Sequence, residues 1–251
     1  MSGVSLRTQG LHKSFGALHV TQGIDFALPQ GARQALIGPN GAGKTTLLNL
    51  ITGVEQPSAG RILLDERDIT GLSEAQRSRA GLARTFQINQ LFRALSVFDN
   101  VRLAVAERLG IGGSLLIPLG RRADVTDETL ALLEKLQLVP DALKLIRELP
   151  YGRQRLVEIA IALAQQPRVL LLDEPAAGLP TSEHQLILDV IASLDARIAV
   201  LMIDHDMDLV FRVAERITVL VAGAILTEGT PAEISADSRV RTAYLGADLD
   251  A

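Results

Sequence analysis

The chain has 251 residues, 47% of them apolar and 22% charged, which is enough for a sizeable core in one or two soluble domains. A net charge of −4 gives no electrostatic case for nucleic-acid binding, and the lack of cysteine excludes disulfides and thiolate metal sites. No N-terminal apolar segment reads as a secretory signal, and the longest apolar stretch, "ITVLVAGAIL" at 217–226, is far short of the ~20 residues a membrane helix needs.

In chain order, short β-like runs come first, punctuated by Gly10, Gly16, Gly23, Pro29 and Gly31. "RQALIG" (33–38) reads as a buried strand leading into "PNGAGKTTLLNLITG". There Thr45, Leu48, Ile51 and Thr52 have helical spacing, and Gly53 ends the helix. A second turn-rich β section runs through "SAGRILLDERDIT". From about residue 86 to 149 the pattern turns helical, with "FDNVRLAVAERL" and "VTDETLALLEKLQL" showing apolar i, i+3, i+4 spacing. The glycine-rich "GIGGSLLIPLGRR" between them reads as a loop, with contact to lipid or a partner as the alternative. Helices at 153–165, 182–194 and 206–214 then alternate with strands "RVLLLD", "IAVLMID" and "ITVLVAG", which predicts a largely parallel sheet covered on both faces. "GTPAEI" reads as a capping box, with Thr230 as N-cap, Pro231 at the first helical position and Glu233 three residues on.

"GPNGAGKT" (38–45) fits the phosphate-loop pattern G-x-x-x-x-G-K-[ST] in its strand–loop–helix context. Gly38, Pro39, Asn40, Gly41, Ala42 and Gly43 supply backbone N–H groups that curl round phosphate oxygens, and the helix start at Lys44, Thr45 and Thr46 adds its dipole. Lys44 reaches the β and γ phosphates, and the Thr45 hydroxyl ligates magnesium. "VLLLDEP" (169–175) reads as a buried strand that delivers Asp173 to the magnesium shell. Glu174, one residue on, is placed to polarise an attacking water, with helix capping as the alternative. No Asn-Lys-x-Asp element is present to read guanine, which argues against a GTPase.

With these motifs in order, nearly the whole chain resembles the ATP-binding subunit of an ABC transporter. The resemblance implies an α/β P-loop NTPase with a RecA-like core and antiparallel β subdomain (1–87 and 153–251), an inserted helical subdomain (88–152) and a C-terminal tail from about 227. It implies that Gln87 of "ARTFQ" contacts magnesium and the attacking water and links to the membrane subunit, although taken alone Gln87 reads as an ordinary polar residue at a strand end. It makes His205 of "MIDHDMDLV" the switch histidine on the γ-phosphate, although Asp204-His205-Asp206 alone could be a helix cap or a weak metal site. Phe15 of "KSFG" takes the place of the aromatic ring that stacks on adenine, with a core phenylalanine as the alternative.

The family signature, Leu-Ser-Gly-Gly-Gln at a helix start facing the ATP of the opposite subunit, is replaced by "LPYGR". Tyr151, Gly152 and Arg153 are the expected contacts, with a helix start that serves only packing, through Leu156, Ile159, Ala160 and Leu163, as the alternative. Gly152 is retained, Pro150 removes a hydroxyl and a backbone donor, and Arg153 brings a charge. Pro180, after "DEPAAGL", stands where the family usually has Asp or Asn. Together with "LPYGRQRLVEIA", "DHDMDLV" and "EGTPAEI…AYLG", these stretches are similar to the ATPases of branched-chain amino acid importers. The implied partners are an integral membrane permease, a second ATPase subunit and an extracytoplasmic solute-binding protein, at the cytoplasmic membrane face and without nucleic acid. The altered signature and Pro180 tilt the expectation toward a heterodimer. The rivals are a nucleotide-binding regulator with a degenerate signature and a soluble ABC ATPase outside transport.

Overall fold

The structure, a computed structural model, describes residues 3–85, 91–111 and 122–247. Strands β1 (Val4–Phe15) and β2 (Leu18–Pro29) form a hairpin closed by residues 16 and 17, and β4 (Ala59–Leu64) with β5 (Arg67–Asp68) extends it to an antiparallel sheet of order β2-β1-β4-β5. The second sheet contains β3 (Arg33–Ile37), β6 (Leu82–Arg84), β7 (Val169–Asp173), β8 (Ala199–Ile203), β9 (Arg216–Val221) and β10 (Ala224–Gly229), in the order β10-β9-β3-β8-β7-β6. Strands β9, β3, β8, β7 and β6 are parallel, and only β10 runs antiparallel, on β9.

Strand periodicity sorts the core. On β7, Val169 and Leu171 face one apolar cluster and Leu170 and Leu172 the other, and all four are fully buried. The first cluster joins the antiparallel sheet (Leu6, Leu11, Ile24) to helix α1 (Lys44–Thr52) through Leu47, Leu48 and Ile51. The second receives helices α5 (Tyr151–Ala164), α6 (Thr181–Ser193) and α7 (Met207–Val213). Each fully buried Leu or Ile contributes roughly 1.5–3 kcal/mol, so a parallel sheet with two apolar faces is stable only when both are covered.

The predicted helices are present, with shifted ends. Helix α3 (Val97–Arg108) starts at Ser96, whose hydroxyl accepts the Asp99 N–H at 3.0 Å. Helix α4 (Ala123–Lys135) ends before residue 138, because Gln137 turns into the left-handed region with φ 55°. Arg108 ties three helices together: it donates to the carbonyl of Ala164 at the end of α5 and pairs with Glu128 of α4. The apolar stretch at 217–226 is the β9–β10 hairpin, with Ala222 and Gly223 both at positive φ. Thr230 caps helix α8 (Pro231–Ala236) by the capping box read from the sequence, and helix α9 (Ser238–Ala247) follows. The glycine-rich loop lies mostly outside the described residues.

Helix α2 (Glu74–Arg79) has no counterpart in the sequence reading. Its six residues carry no apolar stripe, but Ser73 and Gln76 form a capping box. Its Arg77 is fully buried and donates to the carbonyls of Leu50, Ile51, Thr70 and Leu72, which satisfies the C-terminal end of α1. Among the described residues no helix is long and apolar enough to cross a membrane.

Candidate functional site

The phosphate loop leaves the C-terminal end of β3 and enters α1 at Gly43, the N-cap, which has φ 98°. That helix start has no side-chain cap and no acidic residue in its first turn, so its N–H groups and dipole are open to an anion. Gly38 is forced by close approach, since a Cβ there would lie 2.1 Å from the carbonyl oxygen of Leu220 on β9. The β9–β10 turn supports the loop from the same side, with Gly223 N–H donating to the Ala42 carbonyl at 3.0 Å. Asn40, Gly41 and Thr45 are exposed, Pro39 and Thr46 half-buried. Lys44 donates to the carbonyls of Gly38 (2.6 Å) and Pro39 (3.0 Å). Burial lowers its ammonium pKa, and the nearby negative charge of Glu174 pulls it back up.

Parallel strand ends bring the acidic groups to this loop. Asp173 is the last residue of β7, buried, with Oδ2 2.7 Å from Nη2 of Arg84 at the end of β6. Glu174 has φ 45°, an unusual backbone for a non-glycine residue, held by its N–H donating to the Ile203 carbonyl at 2.8 Å. This backbone places its carboxylate 3.6 Å from Nδ1 of His205, which follows β8 and is 73% exposed. Buried Asp204 fixes that turn, with Oδ1 accepting the N–H groups of His205 (2.8 Å) and Asp206 (2.9 Å), and desolvation raises its carboxyl pKa. Asp206 is the helix cap, accepting from Asp208 and Leu209 at the start of α7. Among the described residues no cluster of three His, Cys, Asp or Glu could hold a metal by itself. Of the weak readings of this trio, the cap therefore belongs to Asp206, and His205 is left facing Glu174.

Phe15 lies at the end of β1, 47% exposed, with Lys13 Nζ 4.7 Å from its ring centroid. Lys13 thus covers one face of an exposed ring, which is not the core phenylalanine of the alternative reading. At the start of α5, Tyr151 is exposed beneath Arg155, and Gly152 is buried where a Cβ would meet Glu183 Oε2 at 2.2 Å. Arg153, expected to offer its charge at this helix start, is committed elsewhere: Nε donates to Asp141 at 2.7 Å and Nη2 to the Gln137 carbonyl. Asp141 also pairs with Lys144, and these two cations hold its carboxyl below the usual range against the opposing desolvation. Gln87 lies outside the described residues.

Residues the sequence reading passed over complete the site. Arg84 stands in the quoted "ARTFQ" stretch but pairs with a residue 89 positions away. Tyr244 of α9 packs against the apolar core, and its phenol, pushed up by burial, is pulled back by the backbone of Gly38.

An uncapped helix start behind a glycine loop, with carboxylates delivered by adjacent parallel strands, defines a nucleotide site of the P-loop ATPase class. The family model described as ABC transporter matches residues 21–177, and one described as branched-chain amino acid ATP-binding cassette transporter matches 224–250. The chain is 40% identical to the high-affinity branched-chain amino acid transport ATP-binding protein LivG of Salmonella typhimurium, over 98% of this chain and 99% of that protein. It is 38% identical to BraF of Pseudomonas aeruginosa, with the same coverage. A crystal structure of the ADP conformation of an ATP-binding cassette of an ABC transporter superposes with a TM-score of 0.85 at 30% identity, covering 97% of this chain and 99% of that one. The chain belongs to the ABC transporter family, as an ATP-hydrolysing subunit.

Proposed function

We propose that this subunit powers uptake of branched-chain amino acids or similar small amino-acid-like solutes through a separate membrane permease, working at the cytoplasmic membrane face. The observation that carries this is the convergence of Lys44, Glu174 and His205 on one phosphate loop, in a chain similar to LivG from end to end. The phosphate-loop amides and Lys44 bind the β and γ phosphates, and Phe15 stacks on adenine. Glu174 takes the proton of the attacking water, and His205 orients the γ-phosphate beside it. Thr45 and Asp173, with Gln87, offer the hard oxygen donors that suit magnesium, and among the described residues no hydrogen bond reaches the second carboxylate oxygen of Asp173. When bound there, magnesium neutralises charge on the β and γ phosphates.

The segments 88–152 and 227–251 are read as the helical subdomain and tail. A second ATPase subunit completes each nucleotide site with its own signature helix start. Pro150 and the engagement of Arg153 by Asp141 weaken this chain's contribution to its partner's site, which favours a heterodimer. The permease seats in a cavity of about 680 Å³ between β6 and the helices, lined by Leu82, Ala83, Thr85, Phe92, Leu103 and Ile161, beside the strand that leads to Gln87. A solute-binding protein outside the membrane completes the system. Gentle detergent extraction from native membranes, followed by reconstitution, tests this. The expected result is recovery of a permease and a second ATPase, with ATP-driven uptake of leucine, isoleucine or valine. Recovery of an active ATPase with no membrane protein would place the chain outside transport.

A further inference from the structure

The pair between Arg84 and Asp173 is almost wholly buried, with side chains 11% and 4% exposed and an Nη2–Oδ2 distance of 2.7 Å. Arg84 does not stop there: its Nη1 donates to Asn49 Oδ1 at 2.9 Å, on α1 five residues beyond Lys44. One guanidinium therefore bridges the helix of the phosphate loop, the carboxylate strand β7 and the end of β6, which leads through Thr85 toward Gln87. Thr85 reinforces the junction, its N–H donating to the Leu171 carbonyl at 2.9 Å.

A carboxylate with a fixed cationic partner in a low-dielectric site attracts a second cation less strongly than a bare one, because the two positive charges repel at short range. Fixing one oxygen also sets the direction in which the other points. Granting Asp173 its place as a magnesium ligand, as proposed above, we propose that Arg84 is a positioning residue that sets the magnesium affinity of Asp173 and ties metal occupancy to α1 and β6. It acts through Asp173, which it holds by one carboxylate oxygen.

The test uses the full-length chain, a fluorescent ADP and a magnesium titration, together with thermal unfolding. Arg84→Gln should lower the nucleotide-free Tm by about 5–10 °C, since it leaves a buried carboxylate without its partner. The same variant should half-saturate with roughly tenfold less magnesium, as the competing charge is gone. Arg84→Lys should keep a magnesium requirement close to that of the unmodified chain, and the double variant R84Q/D173N should regain most of the lost Tm. If R84Q does not fold, Arg84→Met, which fills the same buried space without the charge, takes its place in the magnesium titration and should show the same roughly tenfold shift. An unchanged or higher magnesium requirement in R84Q, or a double variant no more stable than R84Q, would overturn the proposal. If Asp173→Asn leaves the magnesium dependence untouched, its assignment as a metal ligand falls first and this role of Arg84 falls with it.

Discussion

Glu174 is the residue where backbone, electrostatics and chemistry meet. Its left-handed φ of 45° is paid for by the bond to the Ile203 carbonyl, and the result is a carboxylate facing His205. Glu174→Gln keeps the shape and removes the base, so turnover should fall at least ~100-fold while ATP still binds, as read by single-turnover assay and filter binding. Tyr244→Phe deletes only the hydroxyl facing Gly38, and the KM for ATP should rise about two- to fivefold with kcat little changed. The chain has two tyrosines and no tryptophan, so intrinsic fluorescence of a Tyr151→Phe variant reports Tyr244 alone during nucleotide titration. Asp204 supplies a pH prediction. Burial raises its folded pKa above the unfolded value, so its contribution to stability is full below the unfolded pKa and is lost as pH rises through the folded one. Asp204→Asn should therefore gain Tm relative to the unmodified chain near neutral pH, and the gain should vanish in acid, as followed by thermal unfolding across pH.

At the scale of elements, α1 shows what a sequence carries locally. Its glycine loop, Lys44, apolar spacing and Gly53 stop lie within sixteen residues, and each is placed as read. The capping box at Thr230 was equally plain, because N-cap and N3 are three positions apart. Helix α2 was not legible: it is short, lacks an apolar stripe and is held by Arg77 reaching carbonyls on α1 some 26 and 27 positions away. Replacing Arg77 with Met removes those donors from buried carbonyls. Loss of four charge-assisted bonds at about 1.5–3 kcal/mol each should lower Tm by roughly 12–24 °C, as measured calorimetrically. The site divides in the same way. The phosphate loop and Asp173-Glu174 are contiguous motifs and His205 is picked out only by the family resemblance, whereas Arg84–Asp173 and Arg153–Asp141 join residues that only tertiary packing brings together. Arg153 is the instructive case, since its type and place suggested a phosphate contact and its actual partner lies twelve residues upstream.

At the scale of the molecule, two apolar clusters share one parallel sheet, and the strand ends between them present a single nucleotide-binding face. The α5 helix start with Tyr151 and Gly152 packs against Leu179 and Glu183 of its own chain, and the phosphate loop is built from β3 and α1. In the dimer proposed above, each nucleotide site is complete only when a second subunit supplies its own helix start. The measurement that tests it most directly is the initial ATPase rate per chain over a wide range of protein concentration, alone and with the co-purified second ATPase added. A composite site gives a specific activity that climbs with concentration, or with added partner, toward a plateau. A specific activity that stays constant down to concentrations where sedimentation shows only monomer would contradict it.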